Sequence, residues 1–149
     1  MTQLTIIYIS YWGILYMRID HIAIAVNNAE NALENYKKIL NIDKIEIEEV
    51  PNEKVKVVIM NLQDTRIELL EALNDDSPIS KFLKERGEGI HHIAITADEI
   101  QKDVSRAMEN GMKFLGGLRK GSYGRKITFI HPKSLNGVLV EFCQAAPVE

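Results

Sequence analysis

The chain has 149 residues, 46% of them hydrophobic and 26% charged, the size and balance of one soluble globular domain. A net charge of -3 supplies no field that would draw a polyanion, so nucleic acid and an anionic membrane surface are disfavoured as partners. A single cysteine, Cys143, excludes an intrachain disulfide and fits a reducing, cytoplasmic setting.

The first stretch, "LTIIYISYWGILY" at residues 4–16, is apolar and aromatic. The residues before it carry no positive charge, and the stretch is shorter than the roughly 17 to 25 residues of a spanning helix. Residues 1–16 are therefore read as an N-terminal extension, either an added strand or translated upstream sequence, with the domain starting at Met17. Next comes "IDHIAIAV" at residues 19–26, an alternating strand, and then "NNAENALENYKKILN", with an Asn cap and Ala29, Leu33, Tyr36 and Leu40 at helical spacing. Three β-branched runs follow: "KIEIEEV", "KVKVVIMNL" and "RIELLEAL". Residues 74–89 form a linker in which Ser77 and Pro78 open a short helix and Gly87 ends it. The second half begins with "IHHIAIT", continues with a helix capped by Asp98, carrying Ile100, Val104 and Ala107 and stopped by Gly111, and closes with "MKFLGGL", "RKITFIHP" and "GVLVEFC".

The order βαβββ thus occurs twice. The fold class is α+β: two tandem modules, residues 17–73 and 90–144, related by a pseudo-twofold axis and forming a curved mixed sheet around a metal-binding cleft. His92 follows His21 by 71 residues, and Glu141 follows Glu68 by 73, so each module has a His on its first strand and a Glu on its last. Alternation puts His21 with Ala23 and Ala25 on one face, and His92 with Ala94 and Thr96, leaving room before both imidazoles. A carboxylate inside an apolar strand needs compensation. Two imidazoles and two carboxylates converging in one cavity would hold a borderline or hard divalent ion, with positions open for substrate oxygens. Cobalt is the first expectation, with Mn, Ni, Zn or Mg as alternatives. His91 is expected to face away from His92 and to be structural, and His131 in "FIHPKS" to organise a turn.

These residues resemble the vicinal-oxygen-chelate superfamily, and more narrowly the methylmalonyl-CoA epimerase family. The resemblance runs from about Met17 to Gln144 and rests on "RIDHIAIAV", "ELLEALNDDSPISKFLKERGEGIHHIAI" and "GRKITFIHPKSLNGVLVEF". It implies metal ligands at His21, His92 and Glu141, with Glu68 at a fourth position. It further implies an acyl-CoA substrate, epimerised at C2 by proton removal and return through a metal-stabilised enediolate, and a homodimer. Glu141 and Glu68 are the implied acid-base pair. Some family members have a second catalytic Glu on the strand "VKVVIM", where this chain has Val57. Either Glu68 or a water then delivers the second proton, or that strand aligns differently. Arg119, Lys120, Gly124, Arg125 and Lys126 in "LRKGSYGRK" are candidates for the CoA phosphates. Two alternatives stay open: a glyoxalase I-type isomerase acting on a hemithioacetal, and a metal-free binding module of the same fold.

Overall fold

The computed structural model describes residues 17–145. The expectation for residues 1–16 lies outside them. Eight strands and three helices follow in the order β1 (Ile19–Ala25), α1 (Ala29–Lys37), β2 (Ile45–Val50), β3 (Val55–Asn61), β4 (Arg66–Ala72), α2 (Pro78–Arg86), β5 (Gly89–Thr96), α3 (Ile100–Glu109), β6 (Phe114–Lys120), β7 (Lys126–Ile130) and β8 (Val140–Gln144). Both modules have the βαβββ order expected, with α2 in the linker.

All eight strands join one curled sheet in the order β2-β3-β4-β1-β5-β8-β7-β6. The order reads identically from either edge once modules are exchanged. β1 pairs with β4 in parallel, as β5 does with β8, and the modules meet where β1 and β5 run antiparallel. The modules therefore share one hydrogen-bonded sheet.

Local chemistry explains the helices. The Asn28 side chain accepts from the backbone N–H of Asn31 at 2.8 Å and caps α1, and Ser77 caps α2 by accepting from Ile79 with Pro78 in the first turn. At α3 the expected Asp98 cap does not form: the capping position is Glu99, without a side-chain hydrogen bond. The Gln144 side-chain carbonyl instead accepts from the N–H of Ile100, so β8 satisfies that terminus. α1 and α3 cover the outer face through separate clusters, Leu33 and Leu69 on one side and Ile100 and Phe142 on the other. The inner face carries Ala23, Val57, Ile59 and Leu70, against which α2 lays Ile79, Phe82 and Leu83. α2 consequently closes part of the trough that the sheet leaves open. His131 does organise a turn, its Nδ1 accepting from the N–H of Lys133 at 3.0 Å.

Among the described residues no helix is long and apolar enough to cross a membrane.

Candidate metal centre and active site

The trough holds a cavity of about 270 Å³ lined by His21, His92, Glu53, Glu68 and Glu141 among apolar walls that include Val57, Leu70, Ile127 and Phe129. Strand register explains why the four repeat-related residues meet. Ala23 pairs with Glu68 across β1 and β4, and Ala94 pairs with Glu141 across β5 and β8, so each Glu sits beside the strand that bears its module's His. Across the axis His21 pairs with Ala94 and Ala23 with His92. Alanines at both positions keep the ground between the imidazoles clear. The His21 and His92 Nε2 atoms approach to 3.2 Å. A carboxylate oxygen of Glu141 lies 3.1 Å from His92 Nε2, another lies 3.8 Å from His21 Nε2, and Glu68 Oε2 lies 3.4 Å from His21 Nε2.

Four groups of this type, all buried to 5% exposure or less, need a shared counter-charge. Atoms of His21, His92 and Glu141 fall within 4.8 Å of one another and could hold a metal ion. Glu68 Oε1 is buried without a hydrogen-bond partner, 3.6 Å from an Arg66 nitrogen. Two imidazoles and carboxylate oxygens without a thiolate are the donor set of a hard or borderline divalent ion, and the orphaned Glu68 oxygen is what such an ion would satisfy. Burial opposes the charged form of His21, but Glu68, Asp20 and Glu141 outweigh it and its pKa is raised.

Each imidazole is oriented by the residue just before it. His21 Nδ1 lies 2.8 Å from Asp20 Oδ2, and His92 Nδ1 lies 2.9 Å from His91 Nδ1. In a strand, neighbours ordinarily point to opposite faces. Here the pairing slips twice, between Ile19 and His21 and between Ala23 and Ile24, leaving Asp20 and His91 each as the extra residue of a bulge. Bulges of this kind re-aim a side chain. His91 therefore does not turn away from the site as its place in the alternation suggests: it lines the cavity and supports His92. With each Nδ1–H donating to its neighbour, both Nε2 atoms present a lone pair. His91 accepts in that arrangement and must be neutral, and burial, with His92 and Arg86 nearby, depresses its pKa to about 3. Asp20 also receives Arg66 at 2.5 Å and Arg125 at 2.9 Å. Burial opposes its charge, but His21 and the two guanidinium groups prevail and its pKa is lowered.

The basic segment does not form one cationic surface. Arg125 is turned inward onto Asp20. Arg119 lies 2.7 Å from Glu53 and 5.0 Å from the Phe129 ring centre. Lys120 and Lys126 are exposed and directly paired across β6 and β7, next to the cavity-lining residues Arg119 and Ile127. Gly124 adopts φ +66 in the connecting turn, a conformation that favours glycine. Sequence reasoning passed over Asp20 and Glu53. The offset that matches His21 to His92 also matches Asp20 to His91, and that was the signal for the first. Nothing in the pattern marked the second, which lies in a turn.

With this geometry established, comparison with known proteins defines the class. Residues 20–129 match the Glyoxalase/Bleomycin resistance protein/Dioxygenase superfamily. Human mitochondrial methylmalonyl-CoA epimerase is 41% identical over 130 residues, covering 86% of this chain and 74% of that protein. Ethylmalonyl-CoA/methylmalonyl-CoA epimerase of Cereibacter sphaeroides is 38% identical over 130 residues, covering 85% of this chain and 97% of that one. A Streptomyces coelicolor methylmalonyl-CoA epimerase variant, solved with 2-nitronate-propionyl-CoA, superposes with a TM-score of 0.83 at 32% identity, covering 87% of this chain and 98% of that one. The chain belongs to this superfamily and, within it, to the methylmalonyl-CoA epimerase family.

Proposed function

We propose that this chain interconverts the two C2 epimers of methylmalonyl-CoA, with a divalent metal ion held by His21, His92 and Glu141 and with Glu68 completing the set. The observation that carries the reading is the convergence of two imidazole Nε2 atoms 3.2 Å apart with the Glu68 and Glu141 carboxylates in one cavity with largely apolar walls. When bound there, a divalent ion supplies Lewis-acid stabilisation of charge developing on the thioester.

The protein's own groups do the rest. The hydrogen between a thioester and a carboxylate is removable once charge on the thioester is stabilised, and Glu141 is placed beside the imidazoles to take or return it. Apolar walls at Val57, Leu70 and Phe129 limit water at the reacting carbon and strengthen every charge interaction near it. A positioned acid-base group of this kind contributes roughly 10² to 10⁴ in rate. Lys120 and Lys126, paired across β6 and β7 in the basic segment, are offered to the CoA phosphates together with Arg119, which lines the cavity. Arg125 is assigned to holding Asp20.

The test is to offer one epimer of methylmalonyl-CoA to the protein before and after chelation. Interconversion that chelator abolishes and added divalent metal restores is expected, without a redox cofactor. Inertness towards this thioester, coupled with isomerisation of the hemithioacetal of methylglyoxal, would replace the proposal with the glyoxalase reading.

A further inference from the structure

Inverting a carbon centre by proton transfer requires a donor on the face opposite the base. Three carboxylates line the cavity: Glu53, Glu68 and Glu141. Glu68 is 3% exposed, with one oxygen 3.4 Å from His21 Nε2 and the other 3.6 Å from Arg66, so both of its oxygens are turned to fixed groups of the cluster. Val57 is apolar and 2% exposed in the same wall. Glu53 is the remaining carboxylate, and it comes from neither the metal cluster nor its strands.

Its position is set by the chain immediately before β3. β2 ends at Val50, Pro51 starts a single 3-10 turn through Glu53, and Lys54 at φ 57 closes the turn with its N–H on the Pro51 carbonyl. The turn sends the Glu53 side chain into the cavity, with 18% of it exposed. Its neighbour Arg119 lies 2.7 Å away, yet the Nε and Oε1 atoms that approach each other make no aligned hydrogen bond. The contact positions Glu53 and buries its Oε1 against Arg119, so a proton it donates would leave from its other oxygen. Arg119 is itself held over Phe129, which packs edge-on against His92 at 5.1 Å, so this second carboxylate is keyed to the metal cluster through packed groups.

We propose that Glu53, presented from the β2–β3 turn, is the second acid-base residue of the epimerisation. This rests on the function proposed above. In one direction Glu141 takes the C2 proton as the C–H bond breaks, the electron pair delocalises into the thioester carbonyl, and protonated Glu53 then forms the new C–H bond on the other face. The reverse direction exchanges the two roles, and both carboxyls recover their starting protonation by exchange with water. The Glu53 carboxyl titrates above its ordinary value, since burial favours the neutral acid and Glu141 adds to that, against the opposing charge of Arg119. A proton donor needs that bias.

The experiment follows each epimer separately in deuterated water with metal-loaded wild type, Glu53→Gln and Glu53→Asp, after matching metal content and melting temperature. Wild type is expected to exchange C2 hydrogen and invert from both epimers. Glu53→Gln should invert roughly 10² to 10⁴-fold more slowly while one epimer still exchanges its hydrogen through Glu141, and Glu53→Asp should retain part of the inversion. Glu53→Gln inverting within a few-fold of active wild type overturns the inference alone. So does an equal fall in exchange from both epimers, which a merely structural role would give. Wild type inert towards both epimers overturns the substrate reading beneath it.

Discussion

Asp20 and His91 occupy equivalent places in the repeat but differ in chemistry, so the two candidate ligand imidazoles are supported unequally. Asp20 is an anion held by Arg66 and Arg125, and it raises the basicity of His21. His91 is neutral and can only accept the His92 proton, while its ring packs edge-on against Phe82 at 5.0 Å. Partners behind a ligating imidazole fix its tautomer, and their loss costs roughly 10 to 100-fold in metal affinity. Asp20→Asn and His91→Phe are each expected to weaken divalent-ion binding within that range, measured by competition with a chelator. Unchanged affinity in both would mean that the bulges serve the sheet alone. The His and Glu pairs were legible in the sequence because a repeat offset relates them, whereas the residues that support the imidazoles were not. Period-two alternation assigns Asp20 and His91 to the opposite face, and only the two register slips between β1 and β5 bring them round.

At the scale of elements, α2 converts an open trough into a pocket. Ile79, in its first turn, is 2% exposed, packs with Ala23, Val57 and Leu70, and lines the cavity beside His91 and His92. Ile79→Ala should lower the unfolding free energy by about 2 to 5 kcal/mol, through lost burial and the space left behind. Denaturant titration of the metal-free protein reads this directly. A loss well under 1 kcal/mol would show α2 to be loosely docked. Ser77 and Pro78 announced this helix in the sequence, and hydrophobic alternation announced the strands. The start of α3 was not legible at residue resolution, because Gln144 from the far end of the module satisfies the Ile100 N–H in place of Asp98. Glu53 was hidden for a related reason. A carboxylate in a Pro-Asn-Glu turn looks like solvated surface until the sheet curls and carries that turn over the cavity.

Across the whole molecule, the site exists only where the halves meet. Each module supplies one imidazole and one carboxylate, and the antiparallel seam of β1 and β5 sets the 3.2 Å separation of the imidazole nitrogens. Neither half presents a chelating set alone. Further ties cross between the modules: Glu48 accepts from the Tyr123 N–H at 3.0 Å, the Tyr123 hydroxyl donates to Glu46, and Asn52 donates to the Lys120 carbonyl at 2.6 Å. These join the turn bearing Glu53 to the segment bearing Arg119 and the paired lysines, so both sides of the cavity mouth are held in one arrangement. On the function proposed above, both halves jointly bind a single divalent ion. Titrating metal-free wild type, His21→Ala and His92→Ala with cobalt(II), and recording the absorption spectrum together with the nitrogen hyperfine coupling of the cobalt electron spin by pulsed electron paramagnetic resonance, tests this. The expected result is one ion per wild-type chain with two imidazole nitrogens and oxygen donors, and loss of that spectrum in each variant. One variant that keeps wild-type affinity and two coupled nitrogens would contradict it.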